Sequence, residues 1–191
     1  MIKVLEAANP DQRDLLEAVL RTGARIGEIV NLQWCDIDLD NRIYRLKTRK
    51  TKGGEQKTTA HAMSDSLYRI FKRRAENKHS DVPYVFWHEF YSRKTKTWRC
   101  DKYQSLGRFT ERVCKKAGVK RFGLHQLRHL SASILKDEGN MSISQLQKFL
   151  RHEDQKTTEI YANHLDNETL ETTTFLNKYL DKKLKTGAAG V

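Results

Sequence analysis

From Trp34 onward the spacing of apolar residues changes, and no other feature of the chain limits its fold as much. Before that point the pattern is helical: Leu15, Leu16, Val19 and Leu20 share one side of a helix over Asp11–Arg21, with Gly23 placed to end it. A shorter helix runs from Arg25 or Ile26 to Gln33, with Ile26, Ile29, Val30 and Leu32 apolar. Then the period becomes two. Ile37 and Leu39 alternate with Asp36, Asp38 and Asp40, Asp40-Asn41 makes a turn, and Ile43, Tyr44 and Leu46 return, which predicts an antiparallel hairpin. Lys47–Lys57 sets basic residues around Gly53-Gly54, a second hairpin tip, with a third strand expected near Thr58–Met63.

Helical spacing resumes at Ser64–Asn77, with Ser64 as N-cap, Leu67, Ile70 and Phe71 inward, and Arg69, Lys72, Arg73 and Arg74 assigned to the outer face. Val82–Phe86 reads as an extended apolar segment and Trp87–Lys102 as a loop or ribbon. Its interleaved basic and aromatic residues suit nucleic-acid contact, or an exposed loop tucked down by Trp98. Tyr103–Ala117 is helical, and Gly118 ends it. In a helix from Leu124 to Asp137, His125 and Arg128 share a face while Leu127, Leu130, Ile134 and Leu135 turn to the core. Ser142 and Gln145 form a capping box for the next helix, whose buried stripe is Ile143, Leu146, Phe149 and Leu150. A last helix begins at Glu168 and runs to about Lys183. Its apolar residues Leu170, Phe175, Leu176, Tyr179 and Leu180 can pack on their own domain or a neighbour's.

The 191 residues suit one compact domain, or a small domain with tails. A net charge of +12 favours a polyanionic partner, nucleic acid before an anionic membrane, over a basic surface that merely aids solubility. No run approaches the ~20 apolar residues of a membrane span, and the N-terminus lacks a signal peptide's apolar segment, so no membrane partner and a cytoplasmic location are expected. Cys35, Cys100 and Cys114 form no CxxC pair, which favours free thiols. His125 and His129 have metal-ligand spacing, but Gln126 stands where a zinc-protease motif needs its glutamate. No metal or cofactor is expected.

Tyr161 lies nine positions after His152. It is either an ordinary amphipathic side chain or a nucleophile, and a phenol with a pKa of ~10 needs neighbours that take its proton and stabilise the anion it creates. When a phosphodiester is attacked, charge concentrates on its non-bridging oxygens. Arginines suit that charge, since they stay protonated and their planar fork binds two oxygens at once. The chain supplies Arg25 and Arg128 on well-defined elements, His125 and His152 to assist, and Lys52, directly before the glycine pair, to protonate a leaving oxygen. Each alone has a bland reading: Arg25 can simply pair with Glu28, and Lys52 can be a solvated loop charge.

Taken in order, TGARIGEIVNLQWCDID, TKGG, LHQLRH and FLRHEDQKTTEIYANH resemble the catalytic domain of the tyrosine recombinases, the phage integrase family, over about Asp11–His164. That resemblance implies a mainly α fold with a small antiparallel β-sheet (α+β) and a cofactor-free transesterification of double-stranded DNA. Arg25 and Arg128 would be the catalytic arginines, Lys52 the general acid and Tyr161 the nucleophile. His125 would be the first histidine of the HxxR motif, and His152 the second histidine. Residues 1–167 would be the catalytic domain, 168–184 a helix exchanged with a neighbouring protomer, and 185–191 a disordered tail. The full-length protein would act as a tetramer on paired DNA sites, whereas this domain alone could be monomeric. Two departures stand out. Arg151 occupies the place before the second histidine where the family commonly has glycine, an added cation beside the phosphate that would help binding or crowd the turn. The family's N-terminal clamping domain is expected to be absent, leaving weak DNA binding. A type IB topoisomerase, a catalytically silent DNA-binding remnant and a basic RNA-binding module stay open as alternatives. His125 in HxxR favours the recombinase over the topoisomerase.

Overall fold

Asn9 starts the helix on which the fold is built. Its side chain accepts the Gln12 backbone N–H at 2.8 Å, and its own N–H donates to the Gln12 side chain at 3.1 Å. Pro10, which has no N–H to satisfy, takes the first helical position. Helix α2 (Pro10–Thr22) thus begins one residue before its expected start, after a short helix α1 (Ile2–Ala7) outside the sequence expectations. It ends at Gly23, whose φ of +58° is left-handed. The computed structural model describes residues 1–49, 56–104, 106–151 and 167–188.

Two apolar clusters meet at α2. Leu15, Leu16 and Val19 belong to the cluster that also holds Tyr44, Leu46 and Phe71, and Leu20 joins Ile134, Leu135, Phe149, Leu176 and Leu180 in the other. Each fully buried leucine contributes about 1.5–3 kcal/mol. The sheet has order β1-β2-β3 and is antiparallel, with β1 (Ile37–Asp38), β2 (Ile43–Arg49) and β3 (Gln56–Ala62) in a register that sets Tyr44 opposite His61 and Arg49 opposite Gln56. Tyr44 and Leu46 are buried, as the period of two requires. Lys52 falls between β2 and β3 in sequence and lies outside the described residues.

Helix α4 (Asp65–Glu76) is capped by Ser64, whose Oγ accepts the Leu67 N–H at 3.2 Å. Arg74 corrects the sequence expectation. It is buried, donates to the Val85 carbonyl at 3.0 Å and pairs with Asp11. The cause is positional: Leu67, Ile70, Phe71 and residue 74 complete one i, i+3, i+4, i+7 stripe, so the arginine faces inward despite its charge.

Trp87–Lys102 forms a ribbon, β4 (Trp87–Ser92) paired antiparallel with β5 (Thr97–Lys102). Trp98 does not tuck it down; it is 66% exposed and packs edge-to-face on its cross-strand neighbour Tyr91 at 5.7 Å. Helix α5 (Leu106–Lys116) follows, and then α6 (His125–Asp137), α7 (Ile143–Leu150) and α8 (Asn167–Ala188).

The expected α7 stripe holds only in its second half. Phe149 is buried, with Leu146 and Leu150 packed beside it, but Ile143 is 74% exposed because α7 meets the second cluster only toward its C-terminal end. Helix α8 packs on α2, α6 and α7 of its own chain and continues to Ala188, past the expected end near Lys183. Buried Leu176 and Leu180 hold it, with Arg21 donating to Asn177 at 3.1 Å and pairing with Asp181 at 2.9 Å. The result is a mainly helical fold with small antiparallel sheets. Cys35, Cys100 and Cys114 are free thiols. No helix among the described residues is long and apolar enough to cross a membrane.

Candidate active site

The end of α2 and the start of α3 (Ile26–Val30) are separated by three residues, Gly23, Ala24 and Arg25. Gly23 is needed there twice over. Its positive φ disfavours other side chains, and a Cβ at this position would come within 2.4 Å of the Phe149 ring. This close approach brings the C-terminal end of α7 against the C-terminal end of α2.

Arg128 joins the two ends. Projecting from α6 and only 3% exposed, it donates through Nη1 to the Gly23 carbonyl at 2.6 Å and through Nη2 to the Leu150 carbonyl. One helical turn on, Ser131 adds a bond from Oγ to the Leu20 carbonyl at 2.6 Å. The partners of Arg128 are carbonyls at helix C-termini. They satisfy its donors and carry partial negative charge, but they leave its full positive charge unneutralised.

Arg25 is the N-cap residue of α3, with extended backbone at φ −66° and ψ 141°. Its side chain, 42% exposed, reaches the Glu28 carboxylate at 3.2 Å, so the bland pairing foreseen for it is present. Glu28 does more than pair with one arginine. At 7% exposure it also accepts the Arg25 backbone N–H at 2.9 Å, the Thr48 hydroxyl at 2.7 Å and Arg151 Nη2 at 3.0 Å. Burial opposes its charge, yet Arg151, the Thr48 hydroxyl and Arg25 together outweigh burial and hold its pKa below the ordinary glutamate value.

Two guanidinium groups therefore pair with one carboxylate, and a third, that of Arg128, lies near enough to feel all three charges. The Arg128 pKa is held down to about 10, first by burial and then by repulsion from Arg151 and Arg25, partly offset by Glu28. Arg128 stays charged at neutral pH, and an arriving anion would relieve that repulsion. His125 stands near the start of α6, exposed, edge-to-face with His129 at 4.6 Å. Desolvation, then His129, Arg128 and Arg25 lower its pKa below the ordinary histidine value, which favours the neutral imidazole. Beside Arg25 a cleft of about 660 Å³ is further lined by Arg45, Lys47 and Lys102. Among the described residues no group of three or more His, Cys, Asp or Glu side chains is placed to hold a metal ion.

Arg25, Arg128 and His125 are thus brought together. Lys52, His152 and Tyr161 lie outside the described residues. Sequence reasoning missed the central place of Glu28 and the bond that ties Arg151 to it. Thr48 did carry a signal, since it continues the inward-facing set begun by Tyr44 and Leu46 with a hydroxyl in place of a hydrocarbon.

His61 packs on Tyr44 with ring centroids 5.3 Å apart, and desolvation by burial, then the nearby Arg151 charge, lower its pKa from 6.5 to about 4. The unfolded chain therefore binds a proton that the folded chain refuses, and stability falls as pH drops through 6.5 toward 4. Between pH 7 and pH 5 the His61 contribution to this loss is expected to be about 2 kcal/mol. Urea denaturation of wild type and His61→Gln at both pH values should show the smaller loss in the variant; equal losses would contradict it.

Comparisons with known proteins bear on the family and the fold. The model of the phage integrase family matches residues 1–168, ten residues further upstream than the motifs alone indicated. The chain is 32% identical over 165 residues to the tyrosine recombinase XerA of Saccharolobus solfataricus, covering 84% of this chain and 49% of that protein. It is 28% identical over 171 residues to the integrase of Salmonella phage P22, covering 85% and 43%. It spans about half the length of these curated relatives. Among solved structures, a XerA recombinase aligns with TM-score 0.59 at 25% identity over 91% of this chain and 61% of that one. A lambda integrase tetramer bound to a Holliday junction shares the fold, with TM-score 0.53 at 22% identity over 84% and 47%.

Proposed function

The chain belongs to the phage integrase family, and on that premise we propose that it is the catalytic part of a site-specific DNA recombinase that cuts and rejoins strands through a 3′-phosphotyrosyl intermediate. The observation that carries this reading is the pairing of Arg25 and Arg151 with the single carboxylate of Glu28 beside a third arginine, Arg128, held only by uncharged carbonyls. Such a cluster is costly to fold without an anion and is suited to one whose charge grows during reaction.

In this mechanism the Tyr161 oxygen attacks the scissile phosphorus. The bond from phosphorus to the 5′ oxygen breaks, Lys52 gives the departing oxygen its proton, and the single phenol proton is taken up by one of the two histidines, His125 or His152. Arg25 and Arg128 bind the non-bridging oxygens as their charge rises. The phosphodiester energy stays in the tyrosyl link, so a 5′-hydroxyl from a partner strand reverses the step and joins new ends. The +12 charge favours backbone contacts with duplex DNA, a salt-sensitive and largely sequence-blind contribution. Assembly is as a tetramer on paired sites in the full-length protein. On assembly α8 passes to a neighbouring protomer, giving up the Arg21, Asn177 and Asp181 contacts that hold it in cis.

Strand exchange distinguishes this reading from a topoisomerase. The chain, incubated with a supercoiled plasmid and a labelled linear duplex that both carry its crossover site, is expected to yield labelled joint molecules. Relaxation of the plasmid with no joint molecule at any protein concentration would favour the type IB topoisomerase instead.

A further inference from the structure

Arg151 occupies an unusual backbone position for its type. It is the C-cap residue of α7, with φ 54° and ψ 43°, a left-handed conformation that glycine adopts most readily. A positive side chain at a helix C-terminus is favourable, but a side chain serving only that purpose would extend into solvent. Arg151 instead turns inward; its side chain is 14% exposed, its Nη2 bonds Glu28 at 3.0 Å, and its buried Nε has no hydrogen-bond partner among the described residues.

Arg151 is the foremost charge that keeps Glu28 ionised, yet only its Nη2 bonds that carboxylate. That carboxylate already receives the Arg25 N–H, the Arg25 guanidinium and the Thr48 hydroxyl. Arg151 adds a second formal positive charge to a site where Arg25 has supplied the first, and Arg128 adds a third without any carboxylate of its own. The same turn also carries the Leu150 carbonyl that Arg128 grips, which fixes Arg151 and Arg128 relative to each other. A buried unpartnered donor next to excess positive charge is chemically matched to an oxyanion.

We propose that Arg151 is a third arginine of the anion site, contacting a non-bridging oxygen of the scissile phosphate through guanidinium donors that its Glu28 bond leaves free. The proposal rests on the functional reading above for the identity of the anion, while anion binding itself does not. Arg151→Gly suits the test, because glycine relaxes the left-handed turn and the variant should fold. On a nicked duplex the Arg151→Gly rate of covalent adduct formation is expected to fall about 10²-fold, as when one oxyanion donor is lost. On the same duplex with an uncharged methylphosphonate at the scissile position, the deficit should shrink to a few-fold, since the neutral linkage needs less balancing charge. An equal deficit on both substrates, or none on either, would overturn the proposal. A second arm needs no catalysis: titration of inorganic phosphate followed by thermal unfolding should show at least about tenfold weaker binding in Arg151→Gly. Unchanged phosphate binding would overturn the proposal, and it would do so even for a chain that forms no tyrosyl adduct, a result that would count against the recombinase reading alone.

Discussion

Tyr161→Phe is expected to eliminate the covalent adduct on a nicked duplex while leaving duplex binding and thermal stability within experimental error of wild type. The substitution removes one oxygen, the atom that would form the bond to phosphorus, and no other group of the site can occupy the same place in the chain of bonds. Water attacking in its stead would give cleavage without attachment, which is a different product. The expected loss is complete within detection, larger than any other substitution should give, because a nucleophile is required stoichiometrically whereas a charge-stabilising donor only lowers a barrier. Electrophoresis under denaturing conditions reads the adduct directly, and an undiminished band in Tyr161→Phe would remove Tyr161 from the mechanism.

Arg128→Ala should produce the second largest effect, and on two quantities at once. Loss of one preorganised donor to the phosphate costs ~10²–10³ in rate. The Gly23 and Leu150 carbonyls would also lose their shared partner. Leaving buried acceptors unpaired costs about 1–3 kcal/mol each, partly offset here by relief of the repulsion among Arg25, Arg128 and Arg151. A net destabilisation of about 1–3 kcal/mol is therefore expected in urea denaturation. Arg128→Lys keeps a charge but has no planar fork to span two carbonyls that come from different helices, so it should recover little of either quantity. Single-turnover cleavage within a few-fold of wild type in Arg128→Ala would contradict the assignment.

These expectations depend on contacts of different visibility in the sequence. The change of period at Trp34, the Ser142 capping box and the glycine stop at Gly23 are local, and local chemistry decides them; helix and hairpin positions were legible for that reason. Arg74 was not, because a charged residue on an inward stripe looks like an outer-face residue until Asp11 and the Val85 carbonyl are brought to it. Ile143 erred the other way: its spacing continues an apolar stripe, but burial depends on where the opposing helix ends. At the site, Arg25 and Arg128 could be singled out by type and placement. The bond from Arg151 to Glu28 spans 123 positions of sequence and follows only from the packing of Phe149 on Gly23. The motif therefore named Arg25 and Arg128, while the fold determined that a buried glutamate would gather Arg25 and Arg151.

The central claim is a covalent link between Tyr161 and a 3′ phosphate. Wild-type chain can be trapped on a nicked duplex carrying its crossover site, digested with protease and nuclease, and the attached peptide mapped by mass spectrometry. The expected result is a nucleotide mass on the peptide containing Tyr161, joined through a 3′ phosphate, with a free 5′-hydroxyl on the released strand. Attachment to any other residue, linkage through a 5′ phosphate, or cleavage with no nucleotide left on the protein would contradict it.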